Sequence, residues 1–180
     1  MNKKYDLKDI TAKLVAVAMG REPAETVIKN TRLVNVNTGE ILENTDIAIA
    51  YGRIALVGDA LHTVGKGITV MDAEGMYATP GFMDGHIHVE SSMMNVREYA
   101  KTVIPLGTTS IYPDPHEIAN VLGKKGVQFM IDDAEATPLR VFTVMPSCVP
   151  AVPAFEDAGA TITPDDIAEF MELKGICGLG

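Results

Sequence analysis

Cysteine is nearly missing from this chain: Cys148 and Cys177 are the only two in 180 residues. Two cannot build a disulfide framework or a cysteine-rich zinc site. Basic residues are also scarce, 15 Lys plus Arg against 24 Asp plus Glu. The resulting net charge of −9 argues against a nucleic-acid groove, whose phosphates need clustered cations. No apolar run reaches the ~20 residues of a membrane span. The short apolar stretch around residues 14–19 follows Lys3 and Lys4 but precedes no small-residue cleavage site, so no signal peptide is read. Gly65-Lys66-Gly67 lacks the closing Gly-Lys-Ser/Thr of a phosphate-binding loop and reads as a turn. Internal repeats and low-complexity segments are missing too. What remains, 47% hydrophobic and 22% charged, reads as a cytoplasmic globular chain with neither nucleic acid nor membrane as a partner.

Periodicity divides the chain into three segments. In residues 1–24, Leu7, Ile10, Leu14 and Val17 recur at helical spacing, with Asp6 to cap the start and Gly20 to end the helix. In residues 25–75 the period changes to two. Strands are predicted over 26–29, 32–36, 46–50, 53–57 and 68–71, with a turn at Asn37-Thr38-Gly39 and a hairpin at Tyr51-Gly52. Residues 76–180 alternate strand and helix. Strands are predicted over 77–83, 108–112, 139–145 and 175–180. Helices are predicted to open at Asn95 with Glu98 as capping partner, to run over 117–135, and to run from Thr163-Pro164 to about residue 173. This β-α-β-α-β-α-β order builds parallel sheets with right-handed crossovers. The fold class is therefore α/β. Four such strands suffice for an open sheet but are half of a (β/α)8 barrel, a fold of about 250 residues.

The strongest chemical signal is Pro80-Gly81-Phe82-Met83-Asp84-Gly85-His86-Ile87-His88. On a strand His86 and His88 project to one side, and two imidazoles there can hold one metal ion. Asp114, His116 and Glu117 follow the next strand at the same, catalytic end. Three ionisable side chains among prolines need water, metal or each other as partners. The alternative reading is a helix N-terminus, with Asp114 as its cap and Glu117 favoured by the dipole. Glu90 would share the face of His88 if the strand continued; otherwise it is a solvated loop carboxylate. His88-Val89-Glu90 matches half of the signature of another zinc deaminase class, but the Pro-Cys-x-x-Cys half is missing. Both cysteines are expected to be small buried side chains. The ten methionines, Met93 and Met94 included, are expected to fill core or pocket, and His62 is given no role.

These motifs resemble the first-strand metal motif of the amidohydrolase superfamily. Glu90-Ser91-Ser92-Met93, Asp114-Pro115-His116-Glu117-Ile118-Ala119-Asn120-Val121 and Ser147-Cys148-Val149-Pro150-Ala151 sharpen the resemblance toward its bacterial adenine deaminase branch. The resemblance covers nearly the whole chain from Glu25. It implies a small β-sandwich-like composite domain over residues 25–75, then over 76–180 the first half of a (β/α)8 TIM-type barrel, truncated after about four strands. It implies hydrolysis of adenine to hypoxanthine and ammonia by a metal-activated hydroxide, in purine salvage. His86 and His88 match the metal ligands, Asp114, His116 and Glu117 the catalytic set, and Glu90, Ser91 and Ser92 the substrate side. The metal implied is manganese, with iron or zinc also possible, in a binuclear site whose remaining ligands come from later strands.

The chain is accordingly expected to be the N-terminal portion of a longer enzyme, with little activity alone. Exposed sheet edges favour pairing in a homo-oligomer. Two alternatives stay open: a cyclic-amide hydrolase of the dihydroorotase or hydantoinase kind, and a non-catalytic assembly module.

Overall fold

The computed structural model describes residues 5–180, and the chain divides into two compact units after Pro80. In the first unit, helix α1 (Leu7–Ala18) buries Ile10 and Val17. Asp6 stands at its N-cap position, but its side chain makes no capping bond. Gly20, at φ +68°, takes the chain out of the helix, and Nε2 of His62 lies 2.8 Å from the Ala18 carbonyl. His62 thus satisfies one of the terminal carbonyls that a helix leaves without an internal partner.

Five strands follow: β1 (Thr26–Asn35), β2 (Glu40–Ala50), β3 (Arg53–Gly58), β4 (Thr69–Asp72) and β5 (Tyr77–Ala78). The sheet order is β3-β2-β1-β4, with β5 also on β1. The two short strands expected over 26–29 and 32–36 are one continuous strand with a bulge. Asn30 sits at φ +58°, and the register shifts between Ile28 and Thr31. Buried Asp46 accepts the displaced Asn30 N–H at 3.0 Å, so the irregular backbone keeps its hydrogen bond. The predicted hairpin forms at Tyr51 and Gly52, both at positive φ as a two-residue turn requires. Val17, Val27, Ala48 and Ala50 form the core of this unit.

The single strand expected over 77–83 is two. Tyr77–Ala78 pairs with β1, whereas β6 (Phe82–Ile87) belongs to the second unit. Pro80, which has no N–H to give a ladder, lies between them. The division therefore falls after Pro80, later in the chain than the change of periodicity at residue 75.

The second unit runs β6, α2 (Val96–Val103), β7 (Thr108–Pro113), α3 (His116–Leu122), α4 (Lys124–Glu135), β8 (Arg140–Val141), β9 (Thr143–Met145), α5 (Pro164–Met171) and β10 (Ile176–Leu179). β6, β7 and β8 form one sheet, β9 and β10 another, and every pairing is parallel. Asn95 caps α2 by accepting from Glu98 N–H, and Thr163 with Asp166 forms a complete capping box on α5.

Several expectations are corrected here. The helix expected over 117–135 breaks at Gly123, whose φ of 58° and ψ of −139° suit only a residue without Cβ. The strand expected over 139–145 splits at Phe142, which still donates to Ile111 O at 3.0 Å and stacks on Tyr112. Both cysteines are exposed rather than buried. Met93 ends a turn at φ +60° and is 96% exposed, so it fills neither core nor pocket. The core of this unit is instead built in two clusters, one around Val89, Val96, Ile111 and Met130, the other around Val127, Met145 and Phe170.

Candidate metal centre

His86 is the penultimate residue of β6 and His88 follows the strand directly. Their rings lie 5.0 Å apart, edge to face, on one side of the strand end. Beyond His88 the chain does not continue as a strand. It turns through a short 3₁₀ segment, Val89–Ser92, so Glu90 does not continue the alternation of the strand. Glu90 Oε1 accepts from Ile118 N–H at 3.2 Å, and its Oε2 is buried without a hydrogen-bond partner. Burial pushes the Glu90 carboxyl pKa up, against the pull of its backbone hydrogen bonds.

Asp114 is not the cap of α3. Pro115 occupies the N-cap position, and no side chain caps that helix. Asp114 is instead drawn inward, 8% exposed, with its N–H donating to Ile87 O at 2.9 Å at the end of β6. Its Oδ1 is the second buried side-chain oxygen left without a partner. Such groups cost stability and mark places where a ligand, ion or proton belongs.

His116 opens α3, its ring 6.3 Å from that of His88. The exposed Cys148 approaches it, Sγ to Nδ1 3.8 Å. The two residues are 32 positions apart, and Cys148 lies in the Ser147-Cys148-Val149-Pro150 stretch that carries part of the resemblance.

Glu117 joins two other residues of the group. Its Oε2 is 2.9 Å from His88 Nδ1, and its Oε1 accepts from Ser91 Oγ at 2.7 Å. Partial burial works against its ionisation, but the bonds from Ser91 and His88 outweigh it and hold the pKa below the ordinary carboxylate value. Ser92 Oγ donates to Val89 O at 2.6 Å and so closes its own turn.

Among the described residues no three His, Cys, Asp or Glu side chains converge to close a metal site. The residues nevertheless suit a divalent ion as part of a larger donor set. Two adjacent imidazoles supply nitrogen, and two buried carboxylate oxygens without partners lie on the neighbouring segments.

The chain is 56% identical to an adenine deaminase of Clostridium botulinum (strain ATCC 19397 / Type A), over 100% of this chain and 31% of that relative. It is 59% identical to an adenine deaminase of Moorella thermoacetica, over 97% of this chain and 29% of the relative. The chain thus spans about 31% of the length of such curated relatives. Among solved structures, atrazine chlorohydrolase TrzN from Arthrobacter aurescens TC1 complexed with zinc superposes with a TM-score of 0.57 at 16% identity. That match covers 82% of this chain and 42% of the enzyme, a likeness of fold. Residues 77–176, from β5 to the start of β10, match the amidohydrolase family, and the chain belongs to that family.

Proposed function

We propose that this chain is part of a metal-dependent adenine deaminase, which hydrolyses adenine to hypoxanthine and ammonia. The observation that carries the reading is the 59% identity to an adenine deaminase over 97% of the chain. The parallel β/α units from β6 to β10 would be the first part of a (β/α)8 barrel, and the preceding sheet the composite β domain. His86 and His88 would hold a divalent ion at the end of β6. The zinc-complexed enzyme of similar fold supports a divalent ion in general, and nitrogen and oxygen donors accept manganese, iron or zinc. We favour manganese, in a site that becomes binuclear with ligands from outside these residues. The ion's contribution would be to lower the pKa of a water toward ~7 and so provide a nucleophile.

The remaining roles fall to the chain's own side chains. Asp114, whose Oδ1 is buried with free lone pairs, would hold the proton that must reach the departing amine. His116 at the start of α3 is its nearest companion in sequence. Glu117 has both oxygens engaged and serves to orient His88. Glu90 and Ser91, on the turn after His88, would border the purine. Purine salvage in the cytoplasm and a homo-oligomeric state complete the reading.

The test is ammonia release from adenine with added Mn²⁺, comparing the 180-residue chain, a version extended to the length of the relatives, and the extended His88→Ala variant. The extended protein is expected to turn over adenine and not dihydroorotate or hydantoin. The short chain and His88→Ala are expected to lose at least ~10²–10⁴-fold, the usual cost of a missing catalytic group. Ring opening of dihydroorotate in place of ammonia release would refute the reading.

A further inference from the structure

We propose that Ser91 is a positioning residue, acting through Glu117 to fix the tautomer and the orientation of His88. A carboxylate has no proton to give, so in the 2.9 Å contact His88 Nδ1 must be the donor and Glu117 Oε2 the acceptor. In the neutral ring this fixes the Nδ1–H tautomer, which leaves the Nε2 lone pair free to bind a cation. The hydrogen bond at one ring nitrogen decides what the other can do.

Glu117 could not do this alone. It is 44% exposed at the side chain, lies in the first turn of a two-turn helix, and has rotamers that would carry it into solvent. The Ser91 hydroxyl removes that freedom by donating to Oε1 at 2.7 Å, so both carboxylate oxygens have fixed partners. Ser91 is itself held. Its N–H donates to His88 O at 3.2 Å, and its neighbour Glu90 accepts from Ile118 N–H on α3. The turn after β6 and the first turn of α3 are therefore stitched at two adjacent points, Ser91 to Glu117 and Glu90 to Ile118. This gives Ser91 a task beyond bordering the purine, and it rests on the reading of His88 as a metal ligand.

The experiment reads the tautomer directly, without metal and without turnover. Two-dimensional ¹⁵N–¹H spectra of the imidazoles are recorded on the chelator-treated 180-residue chain at a pH where histidine is neutral. The wild type is expected to show His88 as Nδ1–H, the opposite of the tautomer favoured by a free histidine side chain. Ser91→Ala should move the His88 signals to a mixture of tautomers and leave those of His62 unchanged. Ser91→Thr, which keeps the hydroxyl, should restore the wild-type pattern. Amide spectra with native dispersion show that each variant folds. Mn²⁺ affinity should fall about tenfold in Ser91→Ala, at the lower end of what outer partners of a ligand usually contribute. His88 already present as Nε2–H in the wild type, or unmoved by Ser91→Ala, would overturn the proposal. A tautomer shift as described, in a chain whose extended form releases no ammonia from adenine, would keep the positioning role and refute the deaminase reading.

Discussion

Asp114→Asn is expected to stabilise the chain while removing its chemistry. Asp114 is 8% exposed and its Oδ1 meets no donor, so the folded state buries a carboxylate oxygen that water hydrates in the unfolded state. An unmade hydrogen bond of this kind costs about 1–3 kcal/mol, more for a charged group. Asparagine has nearly the same shape and still leaves a polar atom unpaired there, but it carries no charge, so the part of that cost that belongs to burying the charge is relieved. About 1–2 kcal/mol should therefore be recovered. With a urea m-value of about 2 kcal/mol/M, the midpoint should rise by about 0.5–1 M. The assay is urea unfolding followed by circular dichroism in chelating buffer. Exposed Asp132→Asn is the control for the general effect of relieving a net charge of −9, and surface changes of that kind stay within about 0.5 kcal/mol. Ammonia release by the extended protein should fall in the same variant. A lower midpoint for Asp114→Asn would mean that the carboxylate is satisfied in the folded protein, and the argument that it is reserved for a proton or an ion would fail.

Other parts of the structure give sharp expectations too. Asp133, whose side chain is 2% exposed, accepts from Arg97 N–H at 3.0 Å and Arg97 Nε at 2.5 Å, joining α4 to the first turn of α2. Asp133→Ala should cost about 1–2 kcal/mol in the same unfolding assay, as an N-terminal partner is lost. A Cβ on Gly126 would stand 2.6 Å from Ile118 O, so Gly126→Ala should push α3 from α4 and destabilise by about 1–3 kcal/mol. Because α3 carries His116 and Glu117, it should also weaken Mn²⁺ binding, measured by calorimetry. Asp72 is held down to about 2 by the Glu74 N–H, Lys29 and Asn30. Its folded pKa lies below the unfolded value of about 3.9, so its contribution is complete above about pH 4 and lost as pH falls from there toward 2. The urea midpoint should decline over that range, and Asp72→Asn should flatten the decline.

Much of this arrangement could be read from residue order. The period of two through His86 and His88 anticipates one shared side, and Asn95 with Glu98 and Thr163 with Asp166 mark helix starts that form with their side-chain caps. What escaped depended on partners distant in sequence. A single glycine inside a helical pattern is often tolerated, so nothing local reveals that Gly123 adopts a conformation ending α3. Pro80 and Phe142 divide strands because the segments on either side pair with different neighbours: Tyr77–Ala78 with β1, Arg140–Val141 with β7, and Thr143–Met145 with β10. Asp114 has the residue type and position of a helix cap. Only the bond from its N–H to Ile87 O, across to another strand, draws it inward instead. The contact of Ser91 with Glu117 spans 26 positions and has no signature at either residue.

The central claim is that His86 and His88 act together on one divalent ion. It is tested most directly by titrating Mn²⁺ into the chain and following the loss of its free-ion electron paramagnetic resonance signal. Wild type, His86→Ala, His88→Ala and, as a control remote in sequence, His62→Ala are compared. The account predicts weak binding in the wild type and in His62→Ala, and a loss of at least about tenfold, 1.4 kcal/mol, in each of the other two. Equal Mn²⁺ affinity in all four proteins would contradict it.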